Sequence, residues 1–101
     1  MQVTQRISDG KATITLSGRF DFNAHRDFRD GYEAVLNASG VQSLDIDLSG
    51  VDYLDSSALG MLLLLKERVS ARNIKLVLTG CKGTVKQILE IANFNKLFTI
   101  A

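Results

Sequence analysis

Polar and apolar residues alternate strictly from Ala12 to Ser17, with Ala12, Ile14 and Leu16 on one side and Thr13, Thr15 and Ser17 on the other. That period of two predicts a half-buried strand. Val3 to Ser8 is a weaker strand candidate, and Asp9-Gly10 between the two is a hairpin turn signal. Gly18 is expected to end the second strand. Asn23 then reads as a helix N-cap. Behind it Ala24, Phe28, Tyr32, Val35 and Leu36 recur at helical spacing, opposite Arg26, Asp27, Arg29, Asp30 and Glu33. Arg26–Asp30 and Arg29–Glu33 are expected i,i+4 ion pairs. Gly31 inside this helix costs stability, which points to close packing.

Leu44, Ile46 and Leu48 alternate with Asp45, Asp47 and Ser49 and predict a third strand, followed by a loop over Gly50 to Asp55. A second helix is expected from about Ser56 to Ala71, apolar almost all round between Ala58 and Leu65. Ile74 to Thr79 predicts a fourth strand. Thr84 is expected to cap a third helix with the stripe Val85, Ile88, Leu89 and Ala92. The closing apolar segment, Phe94 to Ile100, should pack on the sheet or add a short edge element. The resulting order is β-β-α-β-α-β-α. Strands separated by helices run parallel through right-handed crossovers. Each clear strand has one apolar face, so a mixed four- to five-stranded α/β sheet is expected, with helices mainly on one face.

Composition narrows the function classes. The 101 residues correspond to one ordinary domain, so residues 1–101 are read as a single unit. With 12 basic and 11 acidic residues there is no basic stripe for nucleic acid. The longest apolar run is far shorter than the roughly 20 residues a bilayer requires, so no direct membrane insertion is expected. A lone cysteine, Cys81, and a first segment without a signal pattern suggest a cytoplasmic protein.

Catalytic constellations are poorly supported. His25 is the only histidine, and it falls on a charged helix face. Cys81 lies in the turn Gly80-Cys81-Lys82-Gly83 and reads as a small loop residue. Asp45 to Gly50 matches the first half of a calcium loop, but the twelfth position is Ser56 where a glutamate is needed. Gly80 to Thr84 lacks the spacing of a phosphate-binding loop. No cofactor and no metal are expected.

The informative segment is Asp55-Ser56-Ser57-Ala58-Leu59-Gly60. Asp55 is placed to cap the second helix, leaving Ser56 and Ser57 in its first turn, past the carboxyl end of a central strand. Gly60 would allow close backbone approach. A phosphate on Ser56 would meet the positive end of the helix dipole and be tolerated by the fold. On spacing alone, a plain helix cap is the commoner explanation.

Within its context this segment resembles the STAS family, most closely the single-domain anti-sigma-factor antagonists of bacteria. Leu16-Ser17-Gly18-Arg19-Phe20-Asp21 is similar to a strand-and-aspartate segment of the family. Leu44 to Val51 is similar to its central strand, and Ile88 to Phe98 to its final helix and Leu-Phe segment. The resemblance implies a non-enzymatic partner switch. The unphosphorylated form would bind an anti-sigma factor that is also a serine kinase of the histidine-kinase-like ATPase type. Phosphorylation at Ser56 would release it, and a PP2C-type phosphatase would reset it. Ser57 is implied as a secondary phosphosite, and Asp21, Asp55, Ser57, Ala58 and Leu59 as partner contacts. Ala58 stands where the family most often has glycine, and many relatives continue past the point matching Ala101. The alternative is a constitutive STAS scaffold subunit of a membrane transport complex, docking through the same region without a phosphate cycle.

Overall fold

A computed structural model describes all residues from Met1 to Ala101. Strands β1 (Gln2–Ser8) and β2 (Lys11–Phe20) form an antiparallel hairpin. Its turn, Asp9 at φ 51° and Gly10 at φ 80°, has the double positive φ of the tight turn that suits a twisted two-strand ribbon. A single turn of 3-10 helix, Phe22–Ala24, leads into α1 (His25–Asn37). Then follow β3 (Ser43–Leu54), α2 (Ser56–Ala71), β4 (Lys75–Thr79), α3 (Gly83–Ile91), the short α4 (Phe94–Leu97) and the edge strand β5 (Thr99–Ile100). The five strands lie side by side in chain order, and every pairing after the hairpin is parallel.

One face of this sheet carries the core. Ala12, Ile14 and Leu16 of β2, Leu44, Ile46 and Leu48 of β3 and Leu78 of β4 are buried, and they share a single cluster with residues from all four helices. The opposite face is polar. There Thr13, Thr15, Asp45 and Asp47 stand in rows, with Asp45 paired to Lys11 at 3.3 Å and Asp47 accepting the Ser49 N–H at 2.9 Å. The aspartates of the half calcium motif are thus the outer face of a strand. Gly31 meets β1 so closely that a Cβ there would lie 2.7 Å from Val3 Cγ1, which explains a glycine in mid-helix.

Several local expectations are corrected. Gly18 does not end β2. At φ 98° it sits beside register shifts that bend the strand, which continues to Phe20. The expected loop after Ser49 is likewise strand: Val51, Tyr53 and Leu54 pair with Gly18, Arg19 and Phe20. Asn23 caps nothing, because Asp21 caps the turn in front of α1; α3 has no side-chain cap either, and Thr84 lies inside its first turn. The two i,i+4 ion pairs are also absent from α1. Glu33 instead pairs with Arg68 of α2, which together with Arg72 donating to the Leu36 carbonyl ties the two helices together.

Candidate functional site

The added lengths of β2 and β3 decide where the site sits. Phe20 pairs with Leu54, and the Asp55 N–H donates to the Phe20 carbonyl at 3.3 Å. Two aspartates therefore leave the sheet together at the carboxyl ends of adjacent parallel strands. Both have extended backbone, and each caps the helical turn next to it in the chain. Asp21 accepts the Asn23 N–H at 3.0 Å, and Asp55 accepts the Ala58 N–H at 3.0 Å. The proximity of Asp21 and Asp55, separated by over thirty residues in sequence, is a product of this strand pairing.

The two serines of α2 differ. Ser57 Oγ donates to Asp55 Oδ1 at 2.6 Å and is half-buried, whereas Ser56 is exposed and its hydroxyl takes part in no hydrogen bond. Asp55 is held below its ordinary carboxylate value, first by the Ser57 hydroxyl and then by the Ala58 N–H, with a smaller pull from the Phe22 N–H. Hydrogen bonds to the ionised form lower a carboxyl pKa in this way. Asp55 is thus a fixed anion that orders the first turn of α2, while Ser56 projects from that turn with nothing to hold it.

Charged and apolar side chains share the surface near the Asp21 and Asp55 caps. Arg19 lies 4.2 Å from the centre of the Tyr53 ring, and its Nε is 3.5 Å from Asp21. Phe22 is 74% exposed. Further down α2, Gly60 is exposed, and Leu63 and Leu64 are 39% and 50% exposed. Positions seven and eight after Ser56 fall on its side of a helix.

Of the residues expected here, Asp21, Asp55, Ser56 and Ser57 come together, and Leu59 is half-buried beside them. Ala58 is corrected: it is fully buried with the core, because its position on α2 faces the sheet, so its side chain is closed to a partner. Gly60 is corrected too. A Cβ there would meet no atom within 4 Å, so no part of this chain approaches it. Sequence reasoning left open how much of Leu59 to Leu65 is exposed, which the structure answers with Leu63 and Leu64, and it missed Phe22 as a surface residue. The signal was present for the leucines, since Leu62, Leu65 and Val69 define the buried stripe and leave them outside it. Phe22 gave no signal, because its exposure follows from the cap at Asp21.

Elsewhere little chemistry gathers. His25 is exposed at the start of α1, and the half-buried Cys81 thiol is pushed up by its burial. No group of three or more histidine, cysteine, aspartate or glutamate side chains is arranged to hold a metal. No helix is long and apolar enough to cross a membrane.

A STAS-type binding domain is what this fold and site define, and comparison with known proteins assigns the family. The chain belongs to the STAS family: the family model described as "Mlab, STAS domain" matches residues 3–99. A STAS-domain-containing protein of Pseudomonas aeruginosa (strain UCBPP-PA14) is 48% identical over 95 residues, which is 93% of this chain and 92% of that protein. The putative anti-sigma factor antagonist BtrV of Bordetella bronchiseptica is 27% identical over 101 residues, covering 100% of this chain and 86% of the relative. Among solved structures, a putative anti-sigma factor antagonist of Thermotoga maritima superposes with a TM-score of 0.86 at 19% identity, covering 97% of this chain and 84% of that one. Membership of this family makes the chain a non-enzymatic binding domain, built on the fold of the anti-sigma factor antagonists.

Proposed function

We propose that residues 1–101 act as one STAS domain in a cytoplasmic partner switch, as an anti-sigma-factor antagonist controlled at Ser56. In its unphosphorylated form the domain docks on an anti-sigma factor that is also a serine kinase of the histidine-kinase-like ATPase type. Transfer of phosphate to Ser56 ends that complex, and a PP2C-type phosphatase restores the docking form. The observation that carries this reading is the division of labour between adjacent serines. Ser57 Oγ is bound to the capping carboxylate, whereas Ser56 Oγ is exposed and uncommitted on a rigid helical turn. A hydroxyl so placed is accessible to an incoming phosphoryl donor, and its modification breaks no contact of the fold. Ser57 then serves as a support for the site, not as its main acceptor.

Asp21 and Asp55 frame the docking face, and Leu59 with the exposed Phe22, Leu63 and Leu64 supplies its apolar part. Phosphate adds nearly two negative charges to that face. The similarity to BtrV, itself a putative anti-sigma factor antagonist, supports the same assignment. A second reading is a constitutive scaffold subunit of a membrane transport complex, consistent with membership of the STAS family alone. It uses the same docking face without a phosphate cycle.

Phosphopeptide mass spectrometry on the protein purified from its native cells, grown with and without stress, separates the two. Phosphate on Ser56 whose occupancy changes with condition is the expected result. Absence of phosphate from Ser56 and Ser57 in every condition overturns the switch and leaves the scaffold.

A further inference from the structure

We propose that strand β1 is a contact between two copies of this chain, which pair antiparallel about Gln5 and join their sheets into one; this stands apart from the function proposed for Ser56. The five-stranded sheet has two edges. One is β5, only two residues long. The other is β1, seven residues long, with no proline, no lysine and no bulge against β2, and every residue but Val3 exposed. Natural sheets blunt their edges with such devices, and here only the β5 edge is cut short. A long open edge is a template for strand addition.

The hairpin decides which backbone groups are free. Ser8 and Lys11 flank its two-residue turn and face each other. Residues flanking such a turn exchange both backbone hydrogen bonds, and bonded pairs then alternate along the ladder. Gln2, Thr4, Arg6 and Ser8 therefore bond to β2, while Val3, Gln5 and Ile7 turn their N–H and C=O groups outward. These three lie opposite Leu16, Ile14 and Ala12 and share the core face. A two-fold axis through the sheet keeps the core faces of both copies on one side, so a residue meets only another of its own face. Centring the pair on Gln5 sets Val3 opposite Ile7 of the second copy, Gln5 opposite Gln5 and Ile7 opposite Val3. Every outward N–H and C=O group is then bonded. Centring on Thr4 leaves Ile7 without a strand partner, and centring on Arg6 sets Arg6 directly opposite itself, a like-charge contact.

The side chains agree with the Gln5 register. Ile7 is 44% exposed although it lies on the core face. The pairing brings it alongside Val3 of the second copy, at a hollow of about 220 Å³ lined by Val3, Gln5, Asp27, Asp30 and Gly31. The ladder is short, so association is weak and depends on concentration.

Sedimentation equilibrium of the full chain, from about 10 µM to about 1 mM, should show monomer giving way to dimer. Gln5→Pro removes an outward N–H and spares the bonds to β2, a position that edge strands tolerate. It should raise the dissociation constant at least about tenfold while the circular dichroism spectrum is unchanged. Ile7→Glu, which sets a carboxylate beside Asp27 and Asp30 of the second copy, should do the same and serves if the proline variant misfolds. Crosslinking reads the register, in a Cys81→Ser background that removes the one native thiol. Thr4 faces Arg6 of the second copy as a non-hydrogen-bonded pair, about 4.5 Å apart at Cα. A mixture of Thr4→Cys and Arg6→Cys chains should therefore form a disulfide when oxidised glutathione takes the two electrons and two protons of the thiols. Either chain alone should not, because its two cysteines would lie beyond the roughly 7 Å that a disulfide spans. A wild-type chain still monomeric at about 1 mM overturns the inference, as does a dimer that Gln5→Pro and Ile7→Glu both leave intact. Crosslinking of either chain alone at the rate of the mixture overturns the Gln5 register.

Discussion

Adjacent serines in one helical turn carry opposite duties, and the difference is one hydrogen bond. Ser57 Oγ donates to Asp55 Oδ1 at 2.6 Å, so removing that hydroxyl weakens the cap of α2. Ser57→Ala should cost about 1 kcal/mol, lowering Tm by about 4–8 °C. Ser56→Ala should leave Tm unchanged while abolishing phosphorylation. Thermal melts of the two variants side by side check this, and equal losses would mean that Ser56 also supports the cap. The capping carboxylate adds a pH dependence. Asp55 titrates below its ordinary value of 3.8 in the folded state, so its contribution is fully present above that value. The contribution is lost as pH falls through the lowered folded pKa. The stability gap between wild type and Asp55→Asn should therefore narrow as pH drops from about 5 downward. A gap independent of pH would show that the Asp55 charge adds nothing to the cap. The capping role of Asp55 was legible in the sequence, because aspartate before an apolar helix has a local meaning. The difference between Ser56 and Ser57 was not, because it depends on where a hydroxyl points.

Elements were legible where their signals are local. Helix α2 spans the predicted Ser56–Ala71, set by the Asp55 cap at one end and a charged, polar tail at the other. The hairpin turn at Asp9-Gly10 was equally clear. Strands β2 and β3 were read short, because Gly18 and Gly50 look like terminators along the chain. In space each bent strand end is paired by the other, from Gly18–Val51 to Phe20–Leu54. That mutual pairing is non-local, and it is also what brings Asp21 to Asp55. The Arg29–Glu33 pair failed for the same reason, since the stronger partner of Glu33 lies on another helix. Gly31 was read correctly as a packing glycine, and its partner is now known to be Val3. Gly31→Leu should destabilise the domain by about 1–3 kcal/mol through overpacking against β1. Adding Val3→Ala should recover part of that loss, which urea unfolding of the single and double variants would reveal. Strict additivity of the two would mean that α1 and β1 do not press on each other at this point.

At the scale of the whole molecule the sheet is one-sided, and this keeps the exposed Ser56 apart from the core. The core lies between one sheet face and the helices, and Ala58, Met61, Leu62, Leu65 and Val69 commit α2 to it. Ser56 stands on the outer side of the same helix, so charge can be added there without entering the core. The helix dipole contributes about 0.3–1 kcal/mol in favour of an anion at that end. Driving a partner from nearly complete to nearly absent binding takes about 5.5 kcal/mol of differential affinity. The dipole is far too small to supply that and has the wrong sign to unfold the helix. On the proposed function, release of the partner would come from the interface, where a phosphate would be desolvated against a surface shaped for a neutral hydroxyl. Ser56→Asp should accordingly keep Tm within about 4 °C of wild type, as surface substitutions do. It should weaken binding of the purified kinase by less than phosphorylated Ser56 does, because aspartate brings one charge where phosphate brings nearly two. Calorimetric titration of the three forms measures this order directly. Equal affinities for all three would show that charge at Ser56 does not control docking, and a collapse of Tm in Ser56→Asp would show that the switch acts through the fold instead.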